Sequence, residues 1–227
     1  MEKKVTIEQT GQLMSFTRQH FVEHYDLQAE LTDHLANGIE LQWAQNPDIS
    51  FEAALQAEFR KFGIFGFTDV VAERTKALSK RYYRLLWGYA SHFFRLPVLL
   101  GSMAGVVAVY LFICLNYWIF PALMAAFIIT GSTRLYIIRR NYLRKVKATG
   151  HKWLLEDLIF SAGSFNILFN VPLQLYVHFQ LGVGGTLAWL LSLLIVLLAI
   201  YCYVSLWVIP ARAHKHLAEA YPEYTLV

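Results

Sequence analysis

Cysteine is scarce in this chain, and the short motifs that mark common enzyme active sites are missing. The two cysteines, Cys114 and Cys202, each lie inside an apolar run, so a disulfide framework is not indicated. There is no phosphate-binding glycine loop, no His-Glu-x-x-His, no Gly-x-Ser-x-Gly and no Cys-x-x-Cys. His20 and His24 have a spacing that can hold a divalent metal, but no third ligand is specified. We therefore predict no enzyme, no cofactor and no metal site.

Acidic residues are also scarce in the second part of the chain. Residues 81–227 carry twelve Lys and Arg against four Asp and Glu, whereas residues 1–80 carry eight against twelve. Hydrophobic residues make up 56% of the chain and the mean hydropathy is +0.39, which is typical of a membrane protein. Because the basic residues flank apolar segments, we expect them to set membrane topology, and we expect no direct nucleic-acid binding.

Residues 1–80 have the pattern of an acidic, cytoplasmic helical domain. The charged start contains no apolar core, so no cleaved signal peptide is expected. Thr6 and Gln9 form a capping-box pattern for a first helix that ends near Tyr25. Asp26 is the predicted N-cap of a second helix, Ser50 of a third and Thr68 of a fourth. The second helix carries an apolar stripe at four-residue spacing, which predicts a buried face: Leu27, Leu31, Leu35, Ile39 and Trp43.

The rest of the chain predicts a four-helix membrane domain at 96–210, between an interfacial linker helix at 81–95 and a cytoplasmic tail at 211–227. A span needs roughly 20 apolar residues. Four segments meet this length, at about 96–115, 119–138, 153–177 and 183–209. The connector between the second and third segments is strongly basic, and the two short connectors contain no Lys or Arg. The positive-inside rule then places both termini in the cytoplasm of a multi-pass inner-membrane protein.

The third predicted span carries unusual polar residues. Charges inside a membrane are costly, so we expect its two carboxylates to pair with Arg134, Arg139 or Lys152. Polar residues at three-to-four spacing either join helices by hydrogen bonds or line an intramembrane site. A site here would suit a small membrane transporter or membrane enzyme, the alternative function. Its candidate residues are Glu156, Asp157, Ser161, Asn166 and Asn170.

Three stretches of the N-terminal domain resemble the HAAS-type helical signalling domain. They are Asp26-Leu27-Gln28-Ala29-Glu30-Leu31-Thr32-Asp33-His34-Leu35, Ser50-Phe51-Glu52-Ala53-Ala54-Leu55 and Phe62-Gly63. The resemblance covers about residues 10–75. It implies a bacterial regulatory adaptor whose helical domain lies on the cytoplasmic side of a membrane segment, and such proteins are often encoded beside PadR-type transcription regulators.

The leading functional hypothesis is a membrane-anchored regulator whose cytoplasmic domain binds a protein partner such as a transcription regulator. Acidic and polar residues beside the apolar stripe either anchor that partner or solvate the helix. The expected surroundings also include membrane lipid and a membrane-protein partner or a second copy of the chain. The predicted partner-binding residues are Glu30, Asp33, His34, Asn37, Gly63, Phe65 and Phe67.

Overall fold

The computed structural model describes residues 3–116, 118–161, 170–174, 185–221 and 224. Every regular element within these ranges is helical, which confirms the all-α class. The chain divides into two compact units: unit 1 is Met1–Lys80 with Gly150–Leu154, and unit 2 is Arg81–Thr149 with Leu155–Val227. The predicted domain at 1–80 thus gains five residues from a distant connector.

The first helix of unit 1, α1 (Ile7–Gln19), begins with the predicted capping box. The Thr6 hydroxyl accepts a hydrogen bond from the Gln9 backbone, and the Gln9 side chain accepts one from the Thr6 backbone. The helix ends earlier than predicted, because Phe21 has a φ of +65°, a left-handed conformation that a helix cannot continue through. The prediction of an end near Tyr25 was therefore wrong.

The second helix, α2 (Tyr25–Gln45), buries the whole predicted stripe from Leu27 to Trp43. Its N-cap position is occupied by His24, so the prediction that Asp26 caps this helix was wrong. Asp26 lies in the first turn of α2, and its carboxylate accepts a hydrogen bond from the backbone N–H of Leu154 instead.

Helix α3 (Phe51–Arg60) is capped by Ser50 as predicted, since the Ser50 hydroxyl accepts a hydrogen bond from the Ala53 backbone at 3.1 Å. Helix α4 (Thr68–Ala90) includes Thr68 as its first residue, so the predicted cap lies one position too late. The turn between α3 and α4 contains Gly63 and Gly66, both at positive φ.

A buried carboxylate joins α2 to α3. Glu58 is 4% exposed, receives a hydrogen bond from Gln42 and is 2.6 Å from the Lys61 ammonium. Burial raises the pKa of this carboxyl, but the hydrogen bonds from Lys61 and Gln42 together with the charges of Lys61 and His34 outweigh burial and hold the pKa below its ordinary value. Gly38 leaves the space that the carboxylate fills, since a Cβ there would lie 2.4 Å from Glu58 Oε2.

Unit 2 begins with the end of α4, which continues to Ala90 and is followed by a 3-10 turn, Ser91–Phe94. Helices α5 (Val98–Leu115) and α6 (Ile119–Thr149) then form the first two candidate spans. α6 has 31 residues, so most of the basic connector predicted at 139–152 is a continuation of this helix. Arg and Lys are good helix formers, which explains why the helix persists beyond its apolar part.

The remaining elements are α7 (Leu154–Ser161), a short helical stretch at 170–174, α8 (Gly185–Tyr203), and α9 (Ala213–Ala220). A π-helical turn (Val204–Val208) and the short helix Ile209–Ala211 extend α8, so the third candidate span is Gly185–Ala211. In the described part of the chain, three helices are therefore long and apolar enough to cross a membrane. Much of the predicted third span, 153–177, lies outside the described residues.

The core of unit 2 forms where α5 and α6 pack against α8. Cys202 is buried in it, Cys114 is exposed, and both are free thiols. The outer faces of the spans carry exposed apolar residues such as Leu100, Leu111 and Leu190, which suits a lipid environment. The core residues are Ile113, Phe120, Met124, Ala188, Leu191, Ile195, Leu198, Cys202 and Leu206.

Gly38→Ala should destabilise unit 1 by about 1–3 kcal/mol, the usual effect of overpacking. The new methyl group would displace the Glu58 carboxylate from its two donors while the carboxylate stays buried. Thermal and urea unfolding of the full chain in mild detergent would measure the loss.

Gly11→Ala is the matched control, because Gly11 lies inside α1 and a Cβ there meets no atom within 4 Å. This variant should be neutral or stabilising by about 0.5–1 kcal/mol, as alanine favours the helix. Equal stability of the two variants would show that Gly38 is not needed for the Glu58 contact.

Candidate functional site

The predicted partner-binding residues of α2 lie on an exposed face. Asp33, His34 and Asn37 are all exposed, and the Asn37 amide donates a hydrogen bond to the Asp33 carboxylate at 3.3 Å. The His34 ring is 5.7 Å from the ring of Phe62, immediately before the α3–α4 turn. The face of α2 and this turn are therefore neighbours, as a shared binding surface requires.

The turn itself presents apolar side chains to solvent. Ile64 is 94% exposed and Phe65 is 65% exposed, next to Gly63 with its φ of +76°. Phe67 points the other way: it is buried among the rings of Phe59 and Phe62 and is part of the core. We call Asp33, His34, Asn37, Ile64 and Phe65 the docking face.

Glu30 lies beside the docking face but is already engaged. Its carboxylate forms an ion pair with Arg74, which joins α2 to α4. The sequence offers no signal for this pair, because the two residues are 44 positions apart. Glu30 therefore helps to hold α2, which carries Asp33, His34 and Asn37, against α4.

A second cluster holds the connector residues against α2, and we call it the connector clamp. The Tyr25 backbone N–H donates to the Lys152 carbonyl at 2.7 Å, and the Lys152 ammonium is 2.7 Å from Glu23. The Tyr25 ring contacts the rings of His151 and Trp153, with centroids 4.2 and 5.3 Å away. These contacts explain why Gly150–Leu154 belongs to unit 1.

Asp26 completes the connector clamp by capping a helix that starts far away in sequence. Its carboxylate accepts from the backbone N–H of Leu154, the first residue of α7, at 3.1 Å. An acidic group at a helix N-terminus satisfies a free N–H and interacts favourably with the helix dipole. The residues are 128 positions apart, so sequence periodicity could not have found the contact.

The two carboxylates of the predicted intramembrane site are in unit 2, and both are paired. Glu156 is 2% exposed, and its Oε1 lies 2.6 Å from the Lys145 ammonium and 3.2 Å from the Tyr224 hydroxyl. Asp157 pairs with Arg139, one of the three predicted partners, at 2.5 Å. The sequence reasoning missed Lys145 and Tyr224 as the partners of Glu156.

The other proposed partners and polar residues have different places. The Arg134 guanidinium lies over the Trp207 ring, 5.6 Å from its centroid, and Lys152 pairs with Glu23. The Ser161 hydroxyl donates back to the Leu158 carbonyl of its own helix. Asn170 lies in the helical stretch 170–174, and Asn166 lies outside the described residues.

The chemistry of this cluster is that of charge neutralisation. Each carboxylate faces a cation, and hydrogen bonds with the C-terminal segment support the arrangement: the Leu155 N–H donates to the Tyr221 hydroxyl at 3.3 Å, and the Tyr224 hydroxyl donates to Glu156. Among the residues that the structure describes, no group of three His, Cys, Asp or Glu side chains could hold a metal ion.

Lys145→Met should destabilise the chain by about 3 kcal/mol, the low end for breaking a buried pair, because Lys145 is 46% exposed whereas Glu156 is buried. Adding Glu156→Gln should recover most of the loss, since no buried charge is then left unpaired. Thermal and denaturant unfolding in detergent would measure both. Lys215→Met is the control, because its exposed 4.0 Å pair with Glu219 should contribute almost nothing. An equally large loss of stability in Lys215→Met would contradict the conclusion that the buried Lys145–Glu156 pair stabilises the chain.

Asp26→Ala should release the connector from α2 and speed tryptic cleavage after Lys152. The substitution removes the cap of α7, an interaction typically worth about 1 kcal/mol, so cleavage should rise about fivefold if local opening limits it. Limited proteolysis with mass mapping would measure the rate. Asp48→Ala removes the same charge from an exposed loop and should leave the rate unchanged. An unchanged rate in Asp26→Ala would mean that the cap does not hold the connector.

Comparisons of the chain with protein-family models, with curated proteins and with solved structures find no match. Its two units, the docking face, the connector clamp and the paired carboxylates therefore have to be interpreted from their own chemistry. That chemistry is an exposed apolar and polar surface on unit 1, and neutralised buried charges in unit 2.

Proposed function

We propose that this chain is a membrane-anchored regulatory adaptor whose N-terminal unit binds a cytoplasmic protein through the docking face. The observation that carries the proposal is the exposure of Ile64 and Phe65 in the turn that follows Phe62, whose ring lies next to that of His34. Large apolar side chains that project side by side into solvent are typical of surfaces that become buried on binding. Aromatic residues in particular contribute much of the energy of protein interfaces.

The charge of unit 1 indicates the chemistry of the partner. Residues 1–80 carry twelve acidic and eight basic residues, and the docking face includes the exposed carboxylate of Asp33. A partner with an apolar pocket bordered by Lys or Arg would complement this face. The resemblance to HAAS-type domains supports a transcription regulator as that partner.

The connector clamp offers a route from the docking face to the membrane domain. The docking residues Asp33, His34 and Asn37 are on α2, and the clamp residues Tyr25 and Asp26 form the start of the same helix. The clamped connector leads directly into α7. A partner that shifts α2 would therefore change the cap of α7, and by reciprocity a change at α7 would alter the affinity for the partner.

A four-span topology is part of this proposal. The candidate span Gly185–Ala211 crosses once, yet Tyr221 and Tyr224 after it contact Leu155 and Glu156 before it. These contacts support the proposal that both ends of the stretch 156–220 lie on one side of the membrane, as they would in a four-span protein.

The proposed location is the cytoplasmic membrane, with both termini in the cytoplasm. The basic end of α6 supports this orientation, since Arg139, Arg140, Arg144, Lys145 and Lys147 all follow its apolar part. The alternative of a transporter or membrane enzyme has weaker support, because Glu156 and Asp157 are engaged in ion pairs that neutralise them.

Ile64→Asp in the full chain should weaken binding of the cytoplasmic partner about 30-fold, the usual effect of losing a central apolar contact of about 2 kcal/mol. Affinity capture in gentle detergent would detect the partner, and titration would give its Kd. The combined variant Glu30→Ala, Asp33→Ala, His34→Ala should also lose the partner. Unfolding curves would confirm that each variant is folded.

Ile7→Asp is the matched control, because Ile7 is also 94% exposed but lies at the start of α1. An aspartate there suits a helix N-terminus, so folding should be unaffected and the partner should be retained. If the parent captures no partner, or the folded Ile64→Asp variant binds it as tightly as the parent, the adaptor proposal is wrong.

A further inference from the structure

A second surface feature lies within unit 2, where the chain enters its first candidate span and leaves its last. A cavity of about 470 Å³ opens between the end of α4, the 3-10 turn after it and the C-terminal end of α8. Its lining includes Arg95, Arg212, His92, Tyr89 and Tyr203. Among the described residues no carboxylate lines the cavity, and its described lining is basic and aromatic.

The two arginines of this cavity are available to an anion. Within the part of the chain that the structure describes, neither Arg95 nor Arg212 forms an ion pair, whereas Arg139 and Lys145 each face a carboxylate. The Arg212 guanidinium lies over the Tyr89 ring, 4.9 Å from its centroid, and the Tyr89 hydroxyl is 3.0 Å from His216 Nε2. The ring thus orients a guanidinium whose N–H groups need acceptors.

The depth of the cavity matches the level of phospholipid headgroups. Arg95 is three residues before the span Val98–Leu115, and Arg212 directly follows the span Gly185–Ala211.

The same lining includes Val204 and Val208 from the π-helical turn, which offer apolar surface beside the charges. Pro210 follows this turn and cannot donate a backbone hydrogen bond, which accounts for the local widening of the helix. Such turns are frequent at functional sites.

We propose that this cavity binds the phosphate of an anionic phospholipid. Arg95 and Arg212 donate hydrogen bonds to the phosphate oxygens, since a guanidinium fork matches phosphate geometry. Tyr203, Val204 and Val208 contact the apolar part of the lipid below the phosphate. Basic pockets between membrane helices are known to select anionic headgroups. The inference is independent of the docking face, which is in unit 1.

Native mass spectrometry of the full chain in mild nonionic detergent would test whether the cavity binds an anionic phospholipid. Dioleoylphosphatidylglycerol, dioleoylphosphatidylcholine or inorganic phosphate would be added in turn. The parent should bind the anionic lipid more tightly than the zwitterionic lipid. The variant Arg95→Gln, Arg212→Gln should bind it about 25-fold more weakly, at roughly fivefold for each Arg. Arg140→Gln, Arg144→Gln is the matched control, because both residues are exposed and neither lines this cavity.

Gly88→Leu tests the cavity without changing its charge. Gly88 lines the cavity and a Cβ there meets no atom within 4 Å, so a leucine side chain can start there without a clash and should occupy part of the cavity. Its affinity for the anionic lipid should fall at least about fivefold, a loss of at least about 1 kcal/mol. Equal binding of the two lipids by the parent, or an equal loss in the Arg140 and Arg144 control, would overturn the proposal. Displacement of the lipid by millimolar inorganic phosphate would assign the cavity to a soluble phosphate instead.

Discussion

A carboxylate taken out of water costs several kcal/mol unless a cation and hydrogen-bond donors replace the lost solvent. Each unit of this chain is organised around one such group. In unit 1, Glu58 lies between α2 and α3, where Gln42 and Lys61 donate to it and Gly38 provides its space. In unit 2, Glu156 at the start of α7 is matched by Lys145 of α6 and by Tyr224. Because a misplaced partner would leave a buried charge unpaired, these contacts favour one arrangement of the helices over similar ones.

Local features of the fold could be predicted from the sequence, because they depend on neighbouring residues. The capping box at Thr6, the Ser50 cap and the buried stripe of α2 follow from short-range rules and are confirmed. The helix ends were less predictable: Phe21 in a left-handed conformation stops α1 early, and good helix formers carry α6 past its apolar part to Thr149.

The candidate sites depend on contacts between residues that are far apart, and there the sequence was a weaker guide. The pairing of Asp157 with Arg139 could be predicted because both flank one connector. The cap that Asp26 provides to α7 could not, because helical spacing on α2 says nothing about a chain segment 128 positions away. Phe67 was predicted as a partner-binding residue of the turn between α3 and α4. Its ring is buried because Gly63 and Gly66 turn the chain back toward the aromatic core.

Ion pairing separates the basic residues of unit 2 into groups with different roles. Arg139 and Lys145 form ion pairs with carboxylates, and these ion pairs hold α6 to α7. Arg140 and Arg144 are exposed, line no described cavity and fit the general bias that orients a membrane protein. Arg95 and Arg212 differ from both groups, since neither has a carboxylate partner among the described residues and both line one aromatic cavity at the ends of two candidate spans. Topology alone requires only that such charges be on the correct side, and it does not explain why two of them share a cavity. A phosphate bound between Arg95 and Arg212 explains why both line the same cavity.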